Sequence, residues 1–244
     1  MAKDKSVAEL NSQFLCENLN FAASEAYKRL RTNILFSFAS EKSCRVIGVS
    51  SSAPSDGKSL TAINLSYSLA QLGKKTLVID CDLRRPSLHA KLGLKQAPGL
   101  SNLLTEINSL GPVLQKYNPT DASKSFDILS AGDIPPNPSE LLGSKRMASM
   151  IEKLSAVYNY IILDLPPVGA VADAQSITQL TDGIVLVIRE NNCNSVILDD
   201  CLKQLQLAKA NILGFVLNGS VQGASKSYSK YGKYGYGSSY GTYK

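Results

Sequence analysis

RVIGVSSSAPSDGKSLTAINLSYSLAQL, residues 45–72, decides the fold. Its first six residues are a β-branched run ended by small residues, and Leu60, Ile63, Leu65, Leu69 and Leu72 recur near helical spacing. The stretch therefore reads as strand, loop, helix. Ser52-Ala53-Pro54-Ser55-Asp56-Gly57-Lys58-Ser59 matches G-x-x-x-x-G-K-[ST], except that Ser52 stands at the first glycine. A loop in that context suits phosphate, because successive backbone N–H groups and the helix N-terminus converge on one point. In that reading Pro54, Ser55, Asp56, Gly57, Lys58, Ser59 and Leu60 surround a nucleotide's phosphates. Lys58 reaches the β- and γ-phosphates, and the Ser59 hydroxyl binds Mg²⁺. The bland alternative is an ordinary serine-rich turn between a strand and a helix.

Outward from this unit the alternation repeats. Gly73 stops the helix, and Thr76-Leu77-Val78-Ile79 reads as a fully buried strand ending on Asp80. Phe126 to Leu129 and Tyr160 to Leu163 read as strands, with one helix over Leu141 to Val157 between them. Ile184 to Ile188, a helix over residues 195–209, and Ile212 to Leu217 complete the series. Strands alternating with helices predict an α/β fold, a mostly parallel sheet covered by helices on both faces. Residues 25–38 (EAYKRLRTNILFSF) predict a helix with Leu30, Ile34 and Phe38 on one face. The expected division is a weakly periodic surface segment at 1–24, a domain at 25–222, and a tail at 223–244.

The chain's 244 residues, 44% of them apolar, suffice for one such domain and its core. No apolar run approaches the roughly 18 residues of a spanning helix. No apolar region follows the first lysines, as a secretory signal requires. The expectation is a cytoplasmic protein. Five widely spaced cysteines without a C-x-x-C pair, and one histidine, argue against disulfide and zinc frameworks. The net charge of +6 is concentrated at the end, where residues 225–244 carry four lysines and no acid. That tail is built from Gly, Ser, Tyr and Lys, cannot bury a core, and holds six of the eleven tyrosines. A basic tail of this kind admits nucleic acid or acidic lipid as partners.

Carboxylates stand at two more strand ends. Asp80 and Asp82 follow TLVI, and Asp164 follows YIIL and precedes Pro166-Pro167. In parallel sheets such ends face the ligand crevice. Three carboxylates beside a phosphate loop suit magnesium held partly through water, together with a base for an attacking hydroxyl. A single Asp is more often a helix or turn cap; the set favours chemistry.

The loop, LVIDCDLR at 77–84, YIILDLPP at 160–167 and the Tyr-rich end together resemble the bacterial tyrosine kinases of capsule and exopolysaccharide synthesis. EAYKRLRTNI at 25–34 is similar to that family's E-x-x-R-x-x-R helix, and IPPNPSELL at 134–142 adds support. The resemblance covers about residues 20–244. It implies a three-layer P-loop NTPase fold that binds ATP and Mg²⁺, with Lys58, Asp80, Asp82 and Asp164 as the catalytic set. Asp80 is the implied base, Asp82 lies beside the metal, and Asp164 holds its water shell. Ser59 completes the metal set, Arg84 touches phosphate, and Asn218 contacts adenine, although a capped strand end explains Asn218 nearly as well.

The resemblance further implies that Tyr228, Tyr231, Tyr234, Tyr236, Tyr240 and Tyr243 are autophosphorylated. A homo-oligomeric ring presents each tail to a neighbour through contacts at Glu25, Lys28 and Arg31. It implies a transmembrane polysaccharide co-polymerase as activator, recruiting the chain to the inner face of the membrane. A phosphotyrosine phosphatase and other protein substrates belong to the same expectation. Three departures stand out. Lys28 replaces the helix motif's first arginine and lacks its planar fork. Ser55 replaces a usual glycine and is strained if that position needs positive φ, and Leu60 replaces a frequent threonine.

Two rival readings remain. A partition or septum-site ATPase of the same deviant Walker class shares the aspartates, but places a lysine where this chain has Ala53. A nucleic-acid-binding module would use the tail's lysines for phosphate and its tyrosines for stacking, leaving the phosphate loop idle.

Overall fold

The computed structural model describes residues 15–105, 109–168, 177–190, 192–193 and 195–219. Its helices are α1 (Phe21–Phe36), α2 (Lys58–Ala70), α3 (Leu88–Leu92), α4 (Leu100–Thr105), α5 (Pro138–Leu142), α6 (Lys145–Ser155) and α7 (Ser195–Leu207). Its strands are β1 (Arg45–Ser51), β2 (Thr76–Asp80), β3 (Leu114–Tyr117), β4 (Phe126–Leu129), β5 (Tyr160–Asp164), β6 (Gly183–Arg189) and β7 (Ile212–Asn218). Among the described residues they form one sheet in the order β3-β4-β2-β5-β1-β6-β7, parallel except for β3 against β4.

The period of two along each central strand divides the core into two layers. Val46, Leu77, Ile79, Ile161, Leu163, Ile184 and Leu186 point to one face and pack with Met147, Ile151 and Leu154 of α6 and Cys201 and Leu205 of α7. Ile47, Val49, Val78, Ile162, Val185 and Val187 point to the other, against Ala62, Ile63, Leu65 and Leu69 of α2 and Ile34 of α1. Because both faces are covered, the strands are continuous apolar runs rather than alternating ones. Helix α2 is buried almost all round, sandwiched between the sheet and α1. Each leucine it buries contributes about 2 kcal/mol of transfer free energy.

Three expectations are adjusted by the structure. Helix α1 begins at Phe21 rather than residue 25, because the Asn20 side chain accepts the Ala23 amide at 2.9 Å and caps it. It ends at Phe36, so Phe38 lies beyond it, with the Arg45 guanidinium 4.3 Å from its ring. Ahead of the helix, Leu15 and Cys16 are buried rather than on the surface, and the Cys16 amide donates to Asn64 Oδ1 of α2 at 2.7 Å. The single helix expected over 141–157 is two. Proline at N1 starts α5, Gly143 ends it, and the Ser144 hydroxyl accepts the Met147 amide at 3.1 Å to start α6. Residues 1–14 and the tail tyrosines 228–243 lie outside the described residues.

Candidate functional site

Register builds the site. Strands β1, β5 and β2 lie side by side, with Val49 opposite Asp164 and Asp164 opposite Asp80. Their C-terminal ends therefore bring two carboxylates from segments 84 residues apart onto neighbouring strands, beneath the loop that leaves β1. That loop enters α2 through Gly57, whose φ is 100°. A Cβ at Gly57 would lie 2.1 Å from Asn218 Nδ2, so glycine is required there by backbone conformation and by space.

Lys58 Nζ is 2.9 Å from Asp82 Oδ2, 3.3 Å from Asp164 Oδ1 and 3.4 Å from Ser59 Oγ. Burial pulls its pKa down, but the charges of Asp164, Asp82 and Asp80 more than offset this and raise it, so the ammonium is retained. Asp80 accepts the amides of Ser87 and Leu88 at Oδ2, both at 3.0 Å, and of Asp82 at Oδ1, 3.2 Å. Burial and then the charge of Asp164 push its carboxyl up to about 7, against the Leu88 amide, Lys58 and the Ser87 amide. Burial also raises Asp164, chiefly against Lys58.

Above these groups opens a cavity of about 580 Å³, within the usual range for small-molecule sites. Pro54, Ser55, Gly57, Lys58, Ser59 and Leu60 form one wall; Asp82, Arg84, Arg85, Ser87 and Lys91 form the opposite one, with Pro166 and Pro167 between. Asp80 and Asp164 lie fully buried beneath it. Asp56 also contributes its backbone to the loop, but its buried carboxylate faces inward and accepts the Ser52 hydroxyl at 2.8 Å and the Ala53 amide at 2.9 Å. Asn218 stands behind the loop, donating from Nδ2 to Asp56 O at 2.8 Å, and borders a second cavity lined by Tyr27, Leu60 and Asn64.

The residues fit magnesium. Among the described residues Asp164 Oδ2 is buried without a hydrogen-bond partner, and a water held by a bound cation would satisfy it. Ser59 Oγ, Asp82 and Asp164 converge near Lys58. Among the described residues no group of three or more His, Cys, Asp or Glu side chains makes a metal cage, and magnesium at phosphate sites characteristically relies on water and phosphate oxygens.

Sequence reading missed several neighbours. Ser87 donates its hydroxyl to Ser59 Oγ at 3.0 Å, and Lys91 lines the cavity half-buried, its pKa lowered by burial. Only the basic run continuing past LVIDCDLR hinted at them. Ser55 takes a positive φ, 69°, so the condition under which its replacement of glycine is strained is met. Of the expected oligomer contacts, Glu25 pairs with Lys28 at 2.7 Å, while Arg31 donates to Ser68 O at the end of α2. Among the described residues no helix is long and apolar enough to cross a membrane.

A family model described as an AAA domain matches residues 44–213. Tyrosine-protein kinase YwqD of Bacillus subtilis (strain 168) is 39% identical, over 90% of this chain and 86% of its own length. Putative tyrosine-protein kinase CapB of Staphylococcus aureus is 32% identical, over 95% of this chain and 98% of its own. The kinase domain of Escherichia coli tyrosine kinase ETK superposes with a TM-score of 0.79 at 32% identity, over 91% of this chain and 83% of that one. The full-length Escherichia coli (strain K12) relative is longer, and the match spans 30% of it. A chain that follows these enzymes along most of its length in sequence, and the ETK kinase domain in fold, belongs to the bacterial tyrosine-protein kinase family.

Proposed function

We propose that this kinase uses ATP and magnesium to phosphorylate its own C-terminal tyrosines Tyr228, Tyr231, Tyr234, Tyr236, Tyr240 and Tyr243, in trans, and so regulates capsular or exopolysaccharide synthesis and export. The observation that carries the reading is the convergence of Lys58 and Ser59 with Asp80, Asp82 and Asp164 at the ends of three adjacent strands. Loop amides and Lys58 hold the β- and γ-phosphates, and Asn218 borders the space for adenine. Asp80, with its carboxyl near 7, accepts the proton of an incoming tyrosine hydroxyl. The phenolic oxygen bonds to the γ-phosphorus as its bond to the bridging oxygen breaks, and ADP leaves with that electron pair. Ser59, Asp82 and Asp164 are the groups that would hold magnesium, which when bound neutralises charge on the phosphates.

Six tyrosines spaced through a Gly/Ser-rich stretch of sequence offer several hydroxyls to one site in turn. Delivery to a neighbour requires an oligomer, for which Glu25, Lys28 and Arg31 are the proposed contacts. The proposed activator is a membrane-spanning co-polymerase whose cytoplasmic segment completes the nucleotide site and recruits the kinase to the membrane. A phosphotyrosine phosphatase would reset the tail, and other protein substrates would share the site.

The test is incubation with ATP and Mg²⁺, with and without the activator's cytoplasmic segment, followed by blotting for phosphotyrosine. Signal should vanish in Lys58→Met and in a chain lacking 223–244. The Lys58→Met chain should regain signal when mixed with an active chain lacking its tail. Phosphate release without phosphotyrosine, with the activator present, would mark a partition-type ATPase and overturn the proposal.

A further inference from the structure

A loop that turns its amides toward a phosphate turns neighbouring carbonyls away from it, and those carbonyls need donors of their own. Here three consecutive carbonyls find them outside the loop. Asn192 Nδ2 donates to Pro54 O at 3.2 Å, Arg189 Nη1 to Ser55 O at 3.2 Å, and Asn218 Nδ2 to Asp56 O at 2.8 Å. Asn192 Nδ2 also reaches Asp56 Oδ1 at 2.6 Å, on the carboxylate whose other oxygen takes the Ser52 hydroxyl and the Ala53 amide.

All three donors come from one corner of the sheet. Arg189 and Asn218 are Cα partners at the C-terminal ends of β6 and β7, and the Asn192 amide donates to Arg189 O at 3.1 Å. The Arg189 side chain passes beside Gly219, where an added Cβ would lie 3.5 Å from its Cγ and Nε. The middle carbonyl belongs to Ser55, held at a φ of 69° that a residue with a Cβ rarely adopts. Such a conformation persists only where its surroundings impose it.

We infer that Arg189 and Asn192 are positioning residues for the phosphate transfer: they clamp the outer side of the phosphate loop and keep its amides facing the nucleotide before it arrives. The inference rests on reading this loop as the ATP site. Neither residue touches the cavity; both act through Pro54, Ser55 and Asp56. Both side chains are exposed, and Asn192 is the stronger of the two because it reaches a buried carboxylate at 2.6 Å, whereas Arg189 meets a neutral carbonyl at 3.2 Å. The turn after β6 thereby becomes a handle on nucleotide affinity, remote from the carboxylates that do chemistry.

The test is titration of the full chain with ATP and Mg²⁺ by calorimetry, alongside steady-state phosphotyrosine formation. Asn192→Ala should weaken ATP binding and raise its KM roughly tenfold, as expected for losing a charge-assisted hydrogen bond, with kcat within about twofold of wild type. Arg189→Ala, at an exposed position that leaves the core intact, should raise KM about threefold, and Arg189→Lys should recover part of that. The decisive variant is Asn192→Ala combined with Ser55→Gly. Glycine adopts the left-handed conformation without a clamp, so affinity should return, which a general loss of folding would not allow. Wild-type protein that binds ATP while Asn192→Ala and Arg189→Ala bind it equally well overturns the inference alone. A fall in kcat at unchanged KM also overturns it, and wild-type protein that binds no nucleotide overturns the ATP reading with it.

Discussion

Asp80 and Lys58 divide the electrostatics of the site between them. The Asp80 carboxyl stands near 7 in the folded chain against an ordinary value of 3.8, through burial first and Asp164 second. Between those values the folded chain keeps a proton that the unfolded chain has released, so stability of the ligand-free protein falls as pH rises from about 4 to about 7 and then levels. Asp80→Asn, uncharged throughout, should flatten that slope in urea denaturation curves. An unchanged slope would assign the titration to another group. Lys58 is the counter-charge that makes three carboxylates tolerable. Lys58→Met should therefore lower stability at pH 8 by about 3 kcal/mol, because it strands buried charge. The loss should shrink at pH 5, where Asp80 is protonated; an equal loss at both pH values, by the same denaturation, would contradict that account.

The elements show how caps and docking contacts share the work. Helix α1 owes its start to Asn20, and Asn20→Ala should cost about 1 kcal/mol, with amide exchange accelerated in the first turn. Its expected assembly contacts differ in kind. Glu25 and Lys28 form a surface pair, 2.7 Å apart, whose replacement should leave the melting temperature of the monomer essentially unchanged. Arg31 instead ties α1 to the last turn of α2 through Ser68 O. Arg31→Ala should lower thermal stability as well as any self-association, so comparing melting temperature with sedimentation separates the two roles. Equal melting temperatures for Arg31→Ala and Lys28→Ala would remove that distinction.

At the scale of the molecule, most of the net charge sits at one end of the sequence. The tail carries four of the basic residues that make the net charge +6. Six phosphates at about −1.5 to −2 each would reverse its sign. If the proposed ring forms, repulsion between its tails supplies a physical cause for dissociation. Light scattering should find the phosphorylated kinase at lower mass than the unphosphorylated one, with the difference reduced in high salt. A phosphorylated sample that stayed assembled at low salt would refute that cause.

Local chemistry was enough to identify the strands at 45–51, 76–80 and 160–164, the phosphate loop, and the aspartates that end two of those strands. Each is a short-range signal: a β-branched run, a glycine and lysine at fixed spacing, a carboxylate where apolar residues stop. That Ser55 occupies a glycine's place was legible, while its φ of 69° came from the structure. Strand β3, LQKY, escaped because its polar residues have no alternation to read, and its place comes from antiparallel pairing with β4. The break at Gly143 escaped because apolar spacing runs on across it. What only the tertiary structure decided is which distant groups meet. Asp80 lies beside Asp164, Arg31 reaches Ser68, and Arg189, Asn192 and Asn218 stand behind the loop. The meetings at strand ends follow from the register of parallel strands whose partners are far apart in sequence, where a one-residue slip would turn every side chain to the other face, and that of Arg31 with Ser68 follows from the packing of α1 on α2. No local pattern carries that information; the packing of both sheet faces does.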